Sequence, residues 1–496
     1  MTPELKIAIL GAGMGGVGLG MRLRREGEQS FALFERAARI GGTWRDNVYP
    51  GCGCDVPSSL YWFEFDDRPP DWTRSYALQP EILGHLEDAV VRAGLVPHLR
   101  LGSAITRAVW DDEHLLWRIA LADGRETSAP ILVSACGQLG SPSFRGIEGR
   151  ESFAGESFHS ARWRHDVDLR ERRVILVGTG ASAAQIVPEV AKVARTLTVI
   201  QRSPPYVVPR NDRAYTAEER ARVRDDRAAE RARRAEIFVD LERRFDALVP
   251  GSEAARAAEA VCRKLREAQI HDPDLRAKLT PNYTLGCKRL VASDDYLPAF
   301  NRPNVKLVVG SVDRVEPNGV RTRDGALHEG DVIVYATGFE SLAFLSGVDV
   351  VGRGGRSLHA DAWRSAPQAY LGMTVPEFPG FFMIYGPNTN LTHNSVMAMF
   401  DAQYEYILGA VRELDRSGAS LDLKPRVLET FSREVQHRLA KSAFAAGCSS
   451  WYVDDRGRVV TNWWGRATDY RRQASRFRPE DYERVLPAAA STRGGR

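Results

Sequence analysis

Two stretches of the chain carry the same order of apolar and small residues. Ile7–Leu10 is a short, wholly apolar run, and Gly11-Ala12-Gly13-Met14-Gly15-Gly16 follows it directly. Val174–Val177 is a second such run, followed by Gly178-Thr179-Gly180-Ala181-Ser182-Ala183. Each continues into small and apolar residues at helical spacing. Each ends in another apolar run, Phe31–Phe34 in the first case and Leu197–Ile200 in the second. A short continuous apolar run predicts a buried strand, and the change of period after the glycines predicts a helix. The pattern reads strand, tight turn, helix, strand, twice.

A second echo supports the first. Ile131–Gly137 resembles Val332–Gly338, each a buried-strand run that ends in small residues and a glycine. The glycine turns lie 167 residues apart (11 to 178) and the strand pair 201 apart (131 to 332), so the second unit is about 34 residues longer. The surplus fits the charged stretch from about Arg213 to Lys278, which predicts one or two exposed helices with a solvated face. The expected fold class is α/β, with two Rossmann-like dinucleotide-binding domains of the three-layer ββα type and a helical insertion at about 213–279. The expected division is 1–145 with 336–487 as one discontinuous domain and 146–335 as the other. Residues 488–496 are expected to form a flexible tail.

Composition narrows the partners. At 496 residues, 43% hydrophobic and 27% charged, the chain is neither disordered nor fibrous. A net charge of +4 is too small to imply a nucleic-acid partner. Five arginines among aromatics in Arg466–Arg478 read as solvated surface. The longest uncharged candidate for a membrane span, Ile7–Met21, falls short of the ~18–20 residues needed. It is followed by Arg22, Arg24, Arg25 and Glu26, where a signal peptide would be cleaved. Six cysteines do not make a disulfide scaffold and point to a reducing compartment. The expected location is the cytoplasm, with neither membrane nor nucleic acid as partner.

The two glycine turns differ in what they suit. In the first, Gly11 permits the tight turn, Gly13 lets backbone approach a pyrophosphate, and Gly16 lets the helix pack against the strand. Glu35, 22 residues beyond Gly13 and followed by Arg36, is placed to accept hydrogen bonds from ribose hydroxyls. In the second turn, Gly178, Gly180, Ala181 and Ser182 open the helix, and Arg202 occupies the position equivalent to the acid. A guanidinium there suits a 2′-phosphate and points to NADP, with Ser203 as a further donor. Two such units suggest a flavoprotein that takes hydride from a nicotinamide. Cys52 and Cys54 lack the redox spacing and have no ligand cluster beside them, so they read as small buried thiols, and no metal is expected.

The segment between the units adds a family. Phe153, Gly155, His159 and Trp163 fall in a stretch that resembles the fingerprint of type I Baeyer–Villiger monooxygenases, with Arg164 departing at its last position. Gly41-Gly42-Thr43-Trp44, Asn47, Tyr49-Pro50-Gly51 and Asp55 resemble the family's flavin-side segment, where many members carry Arg in place of Gly53. Gly286-Cys287-Lys288-Arg289, with Tyr296, Phe300-Asn301-Arg302 and Asn304-Val305, is similar to the segment that carries its active-site arginine. Ala336-Thr337-Gly338-Phe339 resembles the strand that returns to the FAD domain.

The resemblance implies FAD and NADPH as cofactors. It also implies O2 and a small-molecule ketone as substrates, and an ester or lactone as product by way of a flavin C4a-peroxide. Arg289 is then the cation that stabilises charge at the reacting oxygen, and Asp55 its orienting partner. Lys288 joins Arg202 at the 2′-phosphate. Trp44 and Tyr61 pack near the flavin, and His159 serves the placement of the domains. Asn388 hydrogen-bonds a cofactor edge or shapes a turn. Two alternatives stay open: a flavin-containing monooxygenase that oxidises nitrogen or sulfur, and a flavin-binding protein without oxygenase turnover.

Overall fold

Alternation within the first apolar strand decides the layering. In Ile7–Leu10 every residue is buried. Ile7 and Ile9 pack with Val17, Leu33, Ile131 and Val133, while Ala8 and Leu10 face Trp110, Trp117 and Phe381 on the other side. A strand buried on both faces belongs inside a parallel sheet covered by helices on one side and further chain on the other. The computed structural model, which describes residues 3–485, has this arrangement twice.

The first sheet runs Phe381–Met383, Ile131–Ser134, Ile7–Leu10, Phe31–Phe34, Leu99–Arg100, all parallel. The second runs Glu156–His159, Val332–Tyr335, Arg173–Val177, Thr196–Gln201, Val305–Val309, again all parallel. The strand before each glycine turn is central, and the echoed strand lies beside it in both. Antiparallel strands cover one face: Ile105–Asp111, Leu116–Leu121 and Glu126–Ala129 in the first unit, and Val312–Glu316, Gly319–Thr322 and Leu327–Glu329 in the second. The fold is α/β with two Rossmann-like units.

The units differ in where the fifth strand comes from. In the second sheet it is Glu156–His159, just before the unit. In the first it is Phe381–Met383, which joins after the whole second sheet has been traversed. The long helix Met397–Ser417 then packs on Met14–Arg25, with Tyr404 Oη donating to the Met14 carbonyl.

Two expectations change. The charged stretch is four helices, Ala217–Asp225, Arg227–Arg243, Glu253–Gln269 and Pro273–Lys278, and it is not merely a solvated face. Arg234 is buried, donating to the Ser59 carbonyl at 2.8 Å beneath the Trp62 ring. Glu242 is buried too, accepting from Asn394 Nδ2, Ala467 N, Thr468 N and Thr468 Oγ1 at 2.8–3.1 Å, with His393 Nε2 at 3.1 Å. Burial works against its charge, but these contacts hold its carboxyl down at about 2. A charged residue reads as exposed from composition, yet it can be buried when partners from distant segments satisfy it. The second change concerns cysteine: Cys287 and Cys448, 161 residues apart, form a disulfide, while Cys52, Cys54, Cys136 and Cys262 are free. A count of six could not reveal a pair so distant in sequence.

No helix among the described residues is long and apolar enough to cross a membrane. The tail expected at 488–496 lies outside the described residues.

Candidate active site

The two glycine turns are built on one plan. Gly11 has φ +104° and Gly178 φ +122°. A Cβ on Gly11 would lie 2.7 Å from the Ala135 carbonyl oxygen, and one on Gly178 2.3 Å from that of Ala336. Ala135 and Ala336 are the equivalent residues that directly follow the echoed strands, so the second sequence echo is the wall against which the first one turns. Both helices start on a glycine, Gly13 or Gly180, with no acidic residue in the first turn. The first helix also carries Arg22, Arg24 and Arg25 in its last turn, where cations complement the helix dipole. Free N–H groups and a positive helix end fit a pyrophosphate at each turn. A Cβ on Gly180 would meet nothing within 4 Å, and one on Gly13 only the Gly42 backbone at 3.6 Å or more, which leaves room for a phosphate.

Around the first turn, Glu35 is buried at its strand's end. One carboxylate oxygen accepts from Ala12 N at 3.1 Å, and the other from Ala37 N at 3.0 Å and Arg45 Nη1 at 2.8 Å. Arg45 is a partner that the sequence did not single out. Arg36 is exposed and donates to the Gly140 carbonyl. Gly42, at φ +53°, lies against Gly13, and Thr43 begins the short helix that carries Trp44. Trp44 Nε1 donates to Tyr61 Oη at 3.0 Å with the rings edge to face.

At the second turn, Lys288 Nζ donates to Ser203 Oγ at 2.6 Å, and Thr179 Oγ1 to the Ser203 carbonyl at 2.9 Å. Burial, then the Arg202 charge, lowers the Lys288 pKa. Two cations brought together in this way fit a doubly charged anion. Ala181 and Ser182 open the helix as expected.

Between the turns lies an ion pair. Arg289 Nη2 and Nε donate to one Asp55 oxygen at 2.6 and 3.1 Å. Their side chains are 30% and 28% exposed. Asp55 comes from the first unit and Arg289 from the second, so the pair bridges them. Burial works against the Asp55 charge, but Arg289, by charge and hydrogen bond, and then Arg210 hold its carboxyl below the usual range. Arg289 is held fully charged, chiefly by Asp55. Cys52 and Cys54 beside it are buried thiols, and burial pushes Cys52 up to about 12, so they stay protonated. Among the described residues, no group of three or more His, Cys, Asp or Glu could hold a metal.

The linker residues pack rather than react. A Cβ on Gly155 would lie 2.4 Å from the Asp331 carbonyl oxygen and 2.8 Å from the Phe153 ring. His159 is buried between Phe144 and Phe339, with Nδ1 accepting from Ala161 N, and burial lowers its pKa to about 4, so it is neutral. Trp163 stands edge-on to Phe158, and Arg164 is exposed against Glu156 and Asp166. Asn388 has φ +57° and gives both amide hydrogens to the Val459 and Asn462 carbonyls, so it shapes a turn here. Asn394 is spent on Glu242 and the Phe238 carbonyl.

Sequence reasoning also passed over Gln185 and Arg210. Gln185, on the second unit's helix, bonds Tyr49 and the Gly53 backbone across the units. Arg210 donates to the Cys54 carbonyl at 2.7 Å. Neither stands in a motif, so no local signal marks them.

Comparison with known proteins gives a consistent picture. Residues 9–76 match a family described as NAD(P)-binding Rossmann-like domain, and residues 133–223 one described as flavin-binding monooxygenase-like. The chain is 40% identical to a Baeyer–Villiger monooxygenase of Streptomyces coelicolor, over 98% of this chain and 94% of that one. It is similar in fold to OTEMO crystallised with FAD and NADP (TM-score 0.87, 26% identity, 98% and 100% covered). It is also similar to closed cyclohexanone monooxygenase (TM-score 0.86, 28% identity, 98% and 100% covered).

Proposed function

The chain belongs to the Baeyer–Villiger monooxygenases, FAD- and NADPH-dependent enzymes that insert one oxygen atom of O2 beside a ketone carbonyl, and from that premise we propose that its Arg289–Asp55 pair is the charged centre of the reaction. Bound FAD supplies the redox chemistry, taking hydride from NADPH and activating O2. The protein must then supply binding, orientation and a place for negative charge. The Gly11–Gly16 turn with Glu35, Gly42 and Thr43 holds FAD, and Trp44 and Tyr61 wall its site. Arg289 stays charged beside Asp55, so it can stabilise negative charge that gathers on the ketone oxygen as the carbonyl is attacked. Asp55 fixes the plane of that guanidinium. Oxidation of nitrogen or sulfur puts no such charge on a substrate oxygen, so the pair supports the ketone reading. The observation that carries the proposal is the Arg289–Asp55 bridge at 2.6 Å between the two units.

Incubating the FAD-loaded protein with NADPH, O2 and panels of ketones and sulfides tests it. Esters or lactones heavier than the ketone by one oxygen are the expected products. Sulfoxides alone, with every ketone recovered, would refute the proposal.

Gly178, Gly180, Ala181 and Ser182 take the NADP pyrophosphate, and Arg202, Ser203 and Lys288 its 2′-phosphate. Arg202→Glu places a carboxylate where a phosphate should lie. Losing a charge-assisted hydrogen bond costs about 1.5–3 kcal/mol, or roughly ten- to hundredfold in affinity. The NADPH KM should rise by that factor, with kcat at saturation nearly unchanged. Steady-state titrations with NADPH and NADH check this, and an unaltered preference between the two counts against it.

A further inference from the structure

The segment that carries Asp55 is held by a second arginine. Arg210 and Arg289 flank one two-stranded parallel ladder, in which Val207 pairs with Val291 and Val208 with Ala292. Arg210 follows the first strand by two residues, and Arg289 precedes the second by two. The turn after Arg210 is fixed by Asp294, whose carboxylate accepts from the backbone N–H groups of Arg210, Asn211 and Asp212 at 2.9–3.0 Å. From there the Arg210 guanidinium lies over the Tyr76 ring at 4.9 Å. Its Nη2 donates at 2.7 Å to the carbonyl of Cys54, the residue before Asp55.

Gly53 makes the room. A Cβ there would stand 3.4 Å from Arg210 Nη2, and 3.0 Å from both the Ala77 carbonyl oxygen and Leu78. Residues 53–54 are otherwise fixed by Gln185 Nε2 on the Gly53 carbonyl at 3.0 Å and by Cys54 N on the Ala77 carbonyl at 3.0 Å. Three anchors, from three parts of the chain, thus hold the two residues before Asp55. Arg210 is the only charged one.

We propose that Arg210 is a positioning residue for ketone oxygenation, holding Asp55 through the Cys54 carbonyl and so setting the aim of Arg289. The inference rests on the assignment of Arg289 and Asp55 made above. Arg210 also adds a second positive charge beside the Asp55 carboxylate, which favours its ionised form and keeps it a strong acceptor for Arg289. The guanidinium is suited to the task because one planar group can stack on Tyr76 and donate to a carbonyl at once.

The test uses FAD-loaded Arg210→Ala, Arg210→Gln and Arg210→Lys, with Arg289→Ala in parallel. Each is read for ketone-to-ester kcat, NADPH KM, FAD content and melting temperature. In Arg210→Ala, kcat should fall about tenfold to a hundredfold, the loss expected when a reacting group is misplaced by about an ångström. NADPH KM and FAD content should stay as in the parent. Arg210→Lys, which keeps the charge, should recover more kcat than Arg210→Gln, which keeps only an amide donor. Parental kcat in Arg210→Ala overturns the proposal. So does a loss of kcat that follows FAD content equally in the Gln and Lys variants, since Arg210 would then be a structural support only. If Arg210→Ala does not fold, the order of the Lys and Gln variants decides. Ester formation by Arg289→Ala would instead remove the assignment of Arg289, a result separate from any failure at Arg210.

Discussion

Arg289→Ala is expected to give a protein that retains FAD and accepts hydride from NADPH, yet releases almost no ester. The guanidinium donates to Asp55 and makes no hydrogen bond to either glycine turn, so its removal leaves the contacts within those turns intact. What disappears is a fixed donor aimed at the charge that develops during attack on the carbonyl. Loss of one preorganised donor of this kind typically removes about 3–4 kcal/mol of barrier lowering, roughly a hundred- to a thousandfold in kcat. Asp55 would also be left uncompensated. With about 28% of its side chain exposed, water relieves much of that cost, so stability should fall less than for a fully buried pair. Anaerobic reduction by NADPH, followed by product analysis under air, separates the two effects. Ester at the parental rate would end the assignment, and loss of NADPH-driven reduction would show that Arg289 serves cofactor binding instead.

The second large effect concerns the first glycine turn, where two substitutions should fail for different reasons. A Cβ on Gly16 would lie 2.0 Å from the Gly11 carbonyl oxygen, inside the turn itself. Backbone cannot retreat from backbone there without opening the strand–turn–helix unit. Gly16→Ala should therefore cost at least the upper end of the about 1–3 kcal/mol typical of overpacking, and FAD should be lost. A Cβ on Gly13 meets only ordinary contact with Gly42, at 3.6 Å. Gly13→Ala should fold with nearly the parental melting temperature but bind FAD poorly, because the methyl stands where a phosphate approaches. Melting curves with and without added FAD distinguish them. Equal FAD content in Gly13→Ala and the parent would contradict the placement of the pyrophosphate.

Residues that act through the local backbone were readable in the sequence. Gly11 and Gly178 are required by their positive φ and Gly16 by the carbonyl of Gly11 in the same turn, so their spacing carries the signal. The apolar runs read as strands because parallel strands are buried on both faces, and the two echoes predicted the two sheets. Arg289, Asp55 and Lys288 were named through family resemblance. No periodicity marks them, because their partners lie far away in sequence, Asp55 being 234 residues from Arg289. Long-range pairing likewise hid Arg210, Gln185, the Glu242 cluster and the Cys287–Cys448 bond. Composition made the charged insertion look solvated, since charge alone does not reveal that Arg234 and Glu242 find their partners in other segments. For Asn388 the backbone decided: a left-handed φ and two spent amide hydrogens make it a turn residue.

The order of strands in the first sheet also bears on synthesis. Ile131–Ser134 pairs on one side with Ile7–Leu10 at once, but its other neighbour, Phe381–Met383, emerges 247 residues later (134 to 381). At about 5–20 residues per second, a ribosome leaves that strand edge open for roughly 12–50 s. The second sheet, whose strands all fall within 156–309 and 332–335, closes before then. The nascent chain thus completes its second dinucleotide unit while the first still shows the unpaired, largely apolar strand edge of Ile131–Ser134, the kind of surface that nascent-chain chaperones shield and that slow translation of this interval would expose longest.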